Sequence, residues 1–213
     1  MCRKGLNIDD FCNPPQKVRM IYQAVTELLA QRADINTIKV SDITARAGIG
    51  KGTAYEYFSS RDEIIIMALL YDYGTKIDEL EQLLIEVPGF RKKILFIFDW
   101  LHDHKEYHMT FVHMMRLSVG SVDIKESLKG KISPDIYNGM MQYLLQHMDE
   151  LLEQGYRENV FTQADPIRRR MAFASSLVQL VLTFGEDRER KFFPMEYEEA
   201  RVFAYDSLIR MLS

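Results

Sequence analysis

Lys39 to Phe58 reads KVSDITARAGIGKGTAYEYF, and these twenty residues decide the fold. Val40, Ile43 and Ala47 fall at i, i+3 and i+7, one face of a short helix. Gly48 breaks the pattern. A turn of this kind asks for a residue with positive φ, which Gly adopts without a Cβ clash. Ile49 is then free to pack into the angle between two helices. Gly50 is an acceptable N-cap, although it lacks the side-chain oxygen of Ser or Thr. A second helix, Lys51 to Phe58, follows. Ala54 and Phe58 are at i and i+4 and face inward. Lys51, Thr53, Tyr55 and Tyr57 cannot all do so. They set an ammonium, a hydroxyl and two phenols on the outside, groups that pair with phosphate and, for Thr and Tyr, also touch base edges. Gly52 and Ala54 are small enough to let the helix backbone approach a surface closely.

Val40, Asp42, Ile43, Ala47, Gly48, Lys51, Gly52, Thr53, Tyr55, Tyr57 and Phe58, followed by Ser60, Arg61 and Glu63, resemble the helix-turn-helix of the TetR family of transcriptional regulators. A helix-turn-helix pattern alone is a weak signal. The extended run AG-x-x-KGT-x-Y-x-YF-x-SR-x-E is specific, because it fixes three helices in one register. Residue identities carry the resemblance over about Gln16 to Leu70; further on only the layout is similar. It implies an all-α chain of about nine helices: a three-helix DNA-binding head at 14–60, with its helix-turn-helix at about 39–58, and a helical ligand-binding and dimerisation domain at 61–213. It also implies that Lys51, Thr53 and Tyr55 enter the major groove, and that Tyr55 and Tyr57 meet phosphates, Tyr55 also reaching a thymine methyl. The resemblance further implies that Arg61 meets phosphate at the start of the next helix, where the family usually has Lys. Lys39, Ser41 and Gly52 complete the expected DNA-facing set. The chain departs from the family at Lys39, where Ser or Thr is usual, and at Gly50, where Ser is usual. Each change removes a hydroxyl that could cap a helix or bind phosphate. Lys39 offers an ammonium instead.

Composition is consistent with this without demanding it. The chain has 213 residues, 47% hydrophobic and 27% charged, which is enough for a buried core and unlike a disordered chain. Its formal net charge of −4 argues against nonspecific coating of nucleic acid. Between residues 39 and 61, Lys39, Arg46, Lys51 and Arg61 oppose only Asp42 and Glu56, so the local balance is positive. Cys2 and Cys12 are the two cysteines. They form no disulfide framework and fit a reducing cytoplasm, either as a redox pair or as spare thiols in a loose arm. Residues 1 to 20 lack the apolar stretch of a signal peptide. No run approaches the roughly 18 apolar residues of a membrane span. The expected location is cytoplasmic.

Order is expected to begin at Pro14 and Pro15. Val18, Ile21, Tyr22, Val25, Leu28 and Leu29 give a first helix to about Arg32 with a clean apolar stripe. Ser60 to Glu63 has the form of a capping box. It opens a long fourth helix to about Glu86, ended by Pro88 and Gly89. Further helices are expected at Phe90–His104, Tyr107–Leu117, Pro134–Gln154 (closed by Gly155), Ile167–Phe184 and from Pro194 to Met211. The last two are apolar over wide arcs. Phe173, Leu177, Leu180, Phe184, Val202, Tyr205 and Ile209 form the faces expected at an isologous dimer interface, with intramolecular core as the alternative. A dimer would set two recognition helices about one turn of DNA apart, as a palindromic site requires.

Chemistry elsewhere is sparse. His104 and His108 share i, i+4 spacing, but Lys105-Glu106 looks like a helix junction and no cysteine is near. No metal site is expected. Nucleophile elbows, phosphate loops, dinucleotide fingerprints and zinc-protease motifs are missing from the sequence, so neither an enzyme nor a cofactor is expected. Phe96, Trp100, Tyr107, Phe111, Met114, Met115, Met140, Tyr143 and His147 could line a pocket for a largely apolar small molecule or could simply be core. The expected function is a homodimeric, ligand-responsive regulator bound to double-stranded operator DNA. Repression relieved by the ligand is the leading form; activation, or a ligand-binding scaffold with a vestigial head, are the alternatives.

Overall fold

The structure, a computed structural model, describes residues 13–31, 35, 37–104, 134–183 and 195–213. All regular elements among these are helices: α1 Gln16–Ala30, α2 Val40–Arg46, α3 Lys51–Tyr57, α4 Arg61–Ile85, α5 Phe90–Asp103, α6 Pro134–Arg157, α7 Pro166–Val181 and α8 Tyr197–Leu212. The helix expected at 107–117 lies outside the described residues. The chain divides into two compact units. The first takes the described residues up to 78 together with 134–143. The second takes 79–104 and the described residues from 144 onward.

In the first unit, α1 starts directly after Pro15, whose fixed φ suits a helix entrance. Val18, Ile21, Tyr22, Val25 and Leu29 are buried, as the stripe requires. The Tyr22 ring lies 5.9 Å from Phe58 and 5.1 Å from Tyr71, so α1 is packed both on the end of α3 and on α4. Its hydroxyl is buried without a hydrogen-bond partner. Burial, with the nearby Glu63 charge, pushes its pKa far above the usual tyrosine value. Ile64 to Leu70 are all buried, so α4 begins enclosed on every side. Ser60 caps that start: its Oγ accepts from the Glu63 N–H at 3.2 Å. The return half of the expected capping box is displaced by one residue, because the Glu63 carboxylate accepts from the Ser59 N–H, at 2.6 Å.

In the second unit, Phe90, Ile94, Phe98, Leu152, Leu180, Ala204, Leu208 and Leu212 form a core shared by α5, α6, α7 and α8. Gly89, at φ +78°, turns the chain into α5. The first N–H of that helix, Phe90, donates to Glu158 Oε2 at 2.8 Å. That bond, with one from Gln154, holds the Glu158 carboxyl below the usual glutamate range. Asp165 caps α7, accepting from the Ile167 N–H at 2.9 Å with Pro166 in the first turn. Arg169 is buried and satisfied at each nitrogen. It donates to Glu153 at 2.7 Å and to the carbonyls of Gln163 and Ala164 at 2.7 and 2.8 Å.

Gly155 corrects the sequence reading. It does not end α6, which continues to Arg157. The end is made by Asn159 at φ +56°, with Val160 N–H bonded to the Gly155 carbonyl and Asn159 N–H to that of Tyr156. Gly155 is required for packing instead. A Cβ there would stand 2.7 Å from the rings of Phe90 and Phe161. These rings are themselves buried and meet edge to face at 5.5 Å. Gly155→Ala, although better for an isolated helix, should destabilise the second unit by about 1–3 kcal/mol. Urea denaturation followed by circular dichroism would measure it; a stability equal to or above the parent's would contradict the packing account.

Candidate nucleic-acid interface

Hydrogen bonds close both ends of the first helix of the helix-turn-helix. At the start of α2, the Lys39 N–H donates to Asp42 Oδ2 at 2.9 Å. The missing Ser or Thr at position 39 is thus offset by a carboxylate reaching back from the first turn. Ser41 Oγ also turns to Asp42, at 3.3 Å. Buried Thr44 bonds back to the Val40 carbonyl at 2.9 Å. At the other end Gly48 adopts φ +67°. Ile49 N–H reaches the Thr44 carbonyl at 3.0 Å and Gly48 N–H that of Ala45 at 3.3 Å. This pair of bonds closes the helix and reverses the chain. Arg46 ties α2 to the end of α1 through Gln31 at 2.6 Å, with Glu27 at 3.6 Å.

Seven residues make α3, and Ala54 is its one fully buried position. Phe58, just beyond it, is buried against Tyr22. The opposite face is open. Lys51 and Gly52 are exposed, Tyr55 is 51% exposed, and Thr53 and Tyr57 are half-buried. No atom lies within 4 Å of where a Gly52 Cβ would be, so the backbone is bare on that side. The face therefore carries one ammonium, one hydroxyl, two phenols and the exposed Glu56 carboxylate beside an unobstructed stretch of backbone. Lys39 is exposed and Ser41 half-buried at the start of α2. Arg61 has internal partners that the sequence did not reveal: the carbonyls of Ile35 and Ile38 and the Asp62 carboxylate.

The other expected sites fare differently. Phe173, Leu180 and Tyr205 are buried in the second unit's own core, with Leu177 and Ile209 packed against it. For these three residues, 0–7% exposed, the packing favours core, the alternative that the sequence left open. Val202 is exposed; Phe184 lies outside the described residues. The large apolar groups of these two helices that do face outward are Ile167, Met171 and Leu182 from α7 and its end, and Val202, Phe203 and Met211 of α8. Of the expected pocket, Tyr107, Phe111, Met114 and Met115 lie outside the described residues, as does the Met140 side chain. Phe96, Trp100 and His147 are half-buried in the second unit, where His147 Nε2 meets Glu81 at 3.0 Å. Tyr143, in the first, donates to Asp78. A cleft of about 580 Å³ opens elsewhere, between the end of α6 and the start of α7. Its lining is mostly charged, including Asp149, Glu153, Arg157 and Arg169. His104 donates through Nδ1 to the Trp100 carbonyl at 2.8 Å, capping α5. Among the described residues no group of three potential metal ligands gathers, and no helix is long and apolar enough to cross a membrane.

A short polar helix set on a glycine turn and braced by a preceding helix defines a helix-turn-helix DNA-binding head. Residues 21–67 match the family model for bacterial regulatory proteins of the tetR family. The chain carries the N-terminal head of the TetR family of transcriptional regulators. Among curated proteins it is similar to the uncharacterized HTH-type transcriptional regulator YuxN of Bacillus subtilis, at 24% identity over 165 residues. That match takes in 74% of this chain but only 50% of the relative, so the chain spans about half the length of that protein. It is also similar to the fatty acid metabolism regulator protein of the same organism, at 21% identity over 165 residues, 75% of this chain and 79% of that one. Among solved structures, FadR of Bacillus subtilis in complex with stearoyl-CoA superposes with a TM-score of 0.62 at 18% identity, over 92% of this chain and 97% of the other. A transcriptional regulator from Saccharomonospora viridis in complex with choline gives 0.60 at 17%, over 89% and 93%. The likeness in fold thus extends well past the head.

Proposed function

We propose that this chain is a homodimeric, ligand-responsive transcriptional repressor that reads a palindromic operator with Lys51, Gly52, Thr53, Tyr55 and Tyr57, aided by Lys39 and Ser41. The head is taken as residues 14–60 and the ligand-binding and dimerising part as 61–213. The observation that carries the reading is the outer face of α3: a helix whose polar side chains are turned to solvent beside bare backbone, on a head of TetR type. Phenols and hydroxyls there can donate to phosphate, and the ammonium can neutralise one. Selection from a random duplex library should enrich a palindrome. The double variant Lys51→Ala, Tyr55→Ala should bind the winner at least about thirtyfold more weakly, by two contacts of about 1–3 kcal/mol each, with its helical content unchanged. Parental affinity in the variant would move the reading face off α3.

Dimerisation is assigned to α7 and α8 through Met171, Leu182, Val202 and Phe203. Met171 and Leu182 are eleven residues apart and so lie within about 20° around the helix, with half-buried Val178 between them. Such a stripe, 65% exposed at Met171 and 52% at Phe203, is costly to leave in water. Met171→Glu with Phe203→Glu should give a folded monomer by sedimentation where the parent is a dimer. A dimer that survives both charges would put the interface elsewhere.

The effector is proposed to be an acyl-CoA thioester. Support comes from the likeness to the fatty acid metabolism regulator protein and to the FadR–stearoyl-CoA complex, both of Bacillus subtilis. A ligand releases DNA only by favouring the conformer that binds DNA less well. Stearoyl-CoA at micromolar concentration should therefore release the selected duplex while free coenzyme A does not; equal occupancy with and without it would remove this effector class.

A further inference from the structure

Arg61 is the first residue of α4. Its Nε donates to the Ile38 carbonyl and its Nη2 to the Ile35 carbonyl, while Nη1 meets Asp62 at 2.8 Å. Both carbonyls belong to the segment that leads from α1 into α2, and the Ile38 side chain next to them is buried. Three residues before Arg61, α3 closes at Phe58. One guanidinium therefore joins the chain on its way into the helix-turn-helix to the chain on its way out. The carbonyls it takes lie in irregular backbone, where no helix ladder supplies a donor. We propose that Arg61 is a positioning residue for DNA reading. It fixes how α2 and α3 are offered to the duplex, and it does not itself neutralise a phosphate. The proposal rests on the reading of the head as operator-binding.

Arginine and lysine separate the two roles. A phosphate contact needs a positive charge, which Lys retains. A clasp on two carbonyls needs the planar fork of donors, which a compact ammonium cannot reproduce. The salt dependence of binding gives the second discriminant, since each phosphate neutralised adds about 0.9 to the slope of log K against log salt.

The test uses the full chain with Arg61→Lys and Arg61→Gln. Amide hydrogen exchange without DNA comes first. Arg61→Lys should exchange faster over residues 37–43 while the buried amides of α1 keep the parental rate. Unchanged exchange at 37–43 would overturn the clasp, and loosening throughout α1 and α4 would reduce Arg61 to a general stability role. Binding to the duplex selected by the parent comes second. Both variants should bind about tenfold more weakly, the loss expected for charge-assisted hydrogen bonds, with the parental salt slope and unchanged affinity for unselected DNA. Parental affinity in Arg61→Lys, or a slope reduced by about one in Arg61→Gln, would overturn the proposal; the second result would assign a phosphate contact. If the parent selects no duplex, it is the operator-binding reading that fails, and the exchange result still decides whether the clasp exists.

Discussion

A helix of seven residues cannot hold itself together in water. Forming its first turn fixes several residues for one hydrogen bond, and isolated helices shorter than about 12 residues are marginal even in favourable sequences. Helix α3 is of this kind, and it carries Gly52 besides. Its one fully buried residue is Ala54. The rest of the first unit can be understood as the support this helix needs. Phe58 anchors its end on Tyr22, Tyr22 is held in turn against Tyr71, and the Gly48 turn sets the angle at which the chain arrives. The polar face remains free of structural duty because neighbours supply all the burial.

Both units use the same device to fix a segment that enters a helix. Arg61 takes the carbonyls of Ile35 and Ile38 ahead of α2, and Arg169 takes those of Gln163 and Ala164 ahead of α7. In each case a carboxylate, Asp62 or Glu153, meets the remaining side of the guanidinium. A charge is costly to bury unless paired, and Arg169 is buried with a partner at every nitrogen. Irregular backbone gains donors it could not find in a helix ladder, and the charge gains acceptors. Asp99 plays a related part between α5 and α8, accepting from Tyr197 at 2.5 Å and from Arg201 at 2.7 Å.

The sequence made some of this legible and hid the rest for identifiable reasons. The stripe of α1, the Gly48 turn and the inward pair Ala54 and Phe58 were readable, because each depends on local spacing or on backbone sterics. The Ser60 cap was readable for the same reason. Arg61 was not: its partners are backbone carbonyls more than twenty residues upstream, which have no side-chain signature. Gly155 was read as a helix stop because glycine commonly is one; that two phenylalanines crowd its Cα is a tertiary fact. The sequence leaves open which faces of α7 and α8 turn inward, because an apolar stripe shows that a helix has a buried side without showing which neighbour buries it. Phe173 and Met171 both belong to plausible stripes, and only packing separates the inward one from the outward one.

The outer face of α3 has a kinetic consequence. A tyrosine freezes two side-chain torsions on contact where a lysine freezes four, so a face built on Tyr55 and Tyr57 loses less conformational freedom when it docks. Such a face also exerts little long-range pull. On the proposed reading only Lys51 and Lys39 offer ammoniums to DNA, on a chain of net charge −4; such a face steers weakly, and random DNA, which holds proteins mainly through charge, gives it little to adhere to. A protein that reads DNA through such a face would approach its target slowly but would seldom be detained at wrong sequences. Its residence at the right one depends on contacts that form only at close range.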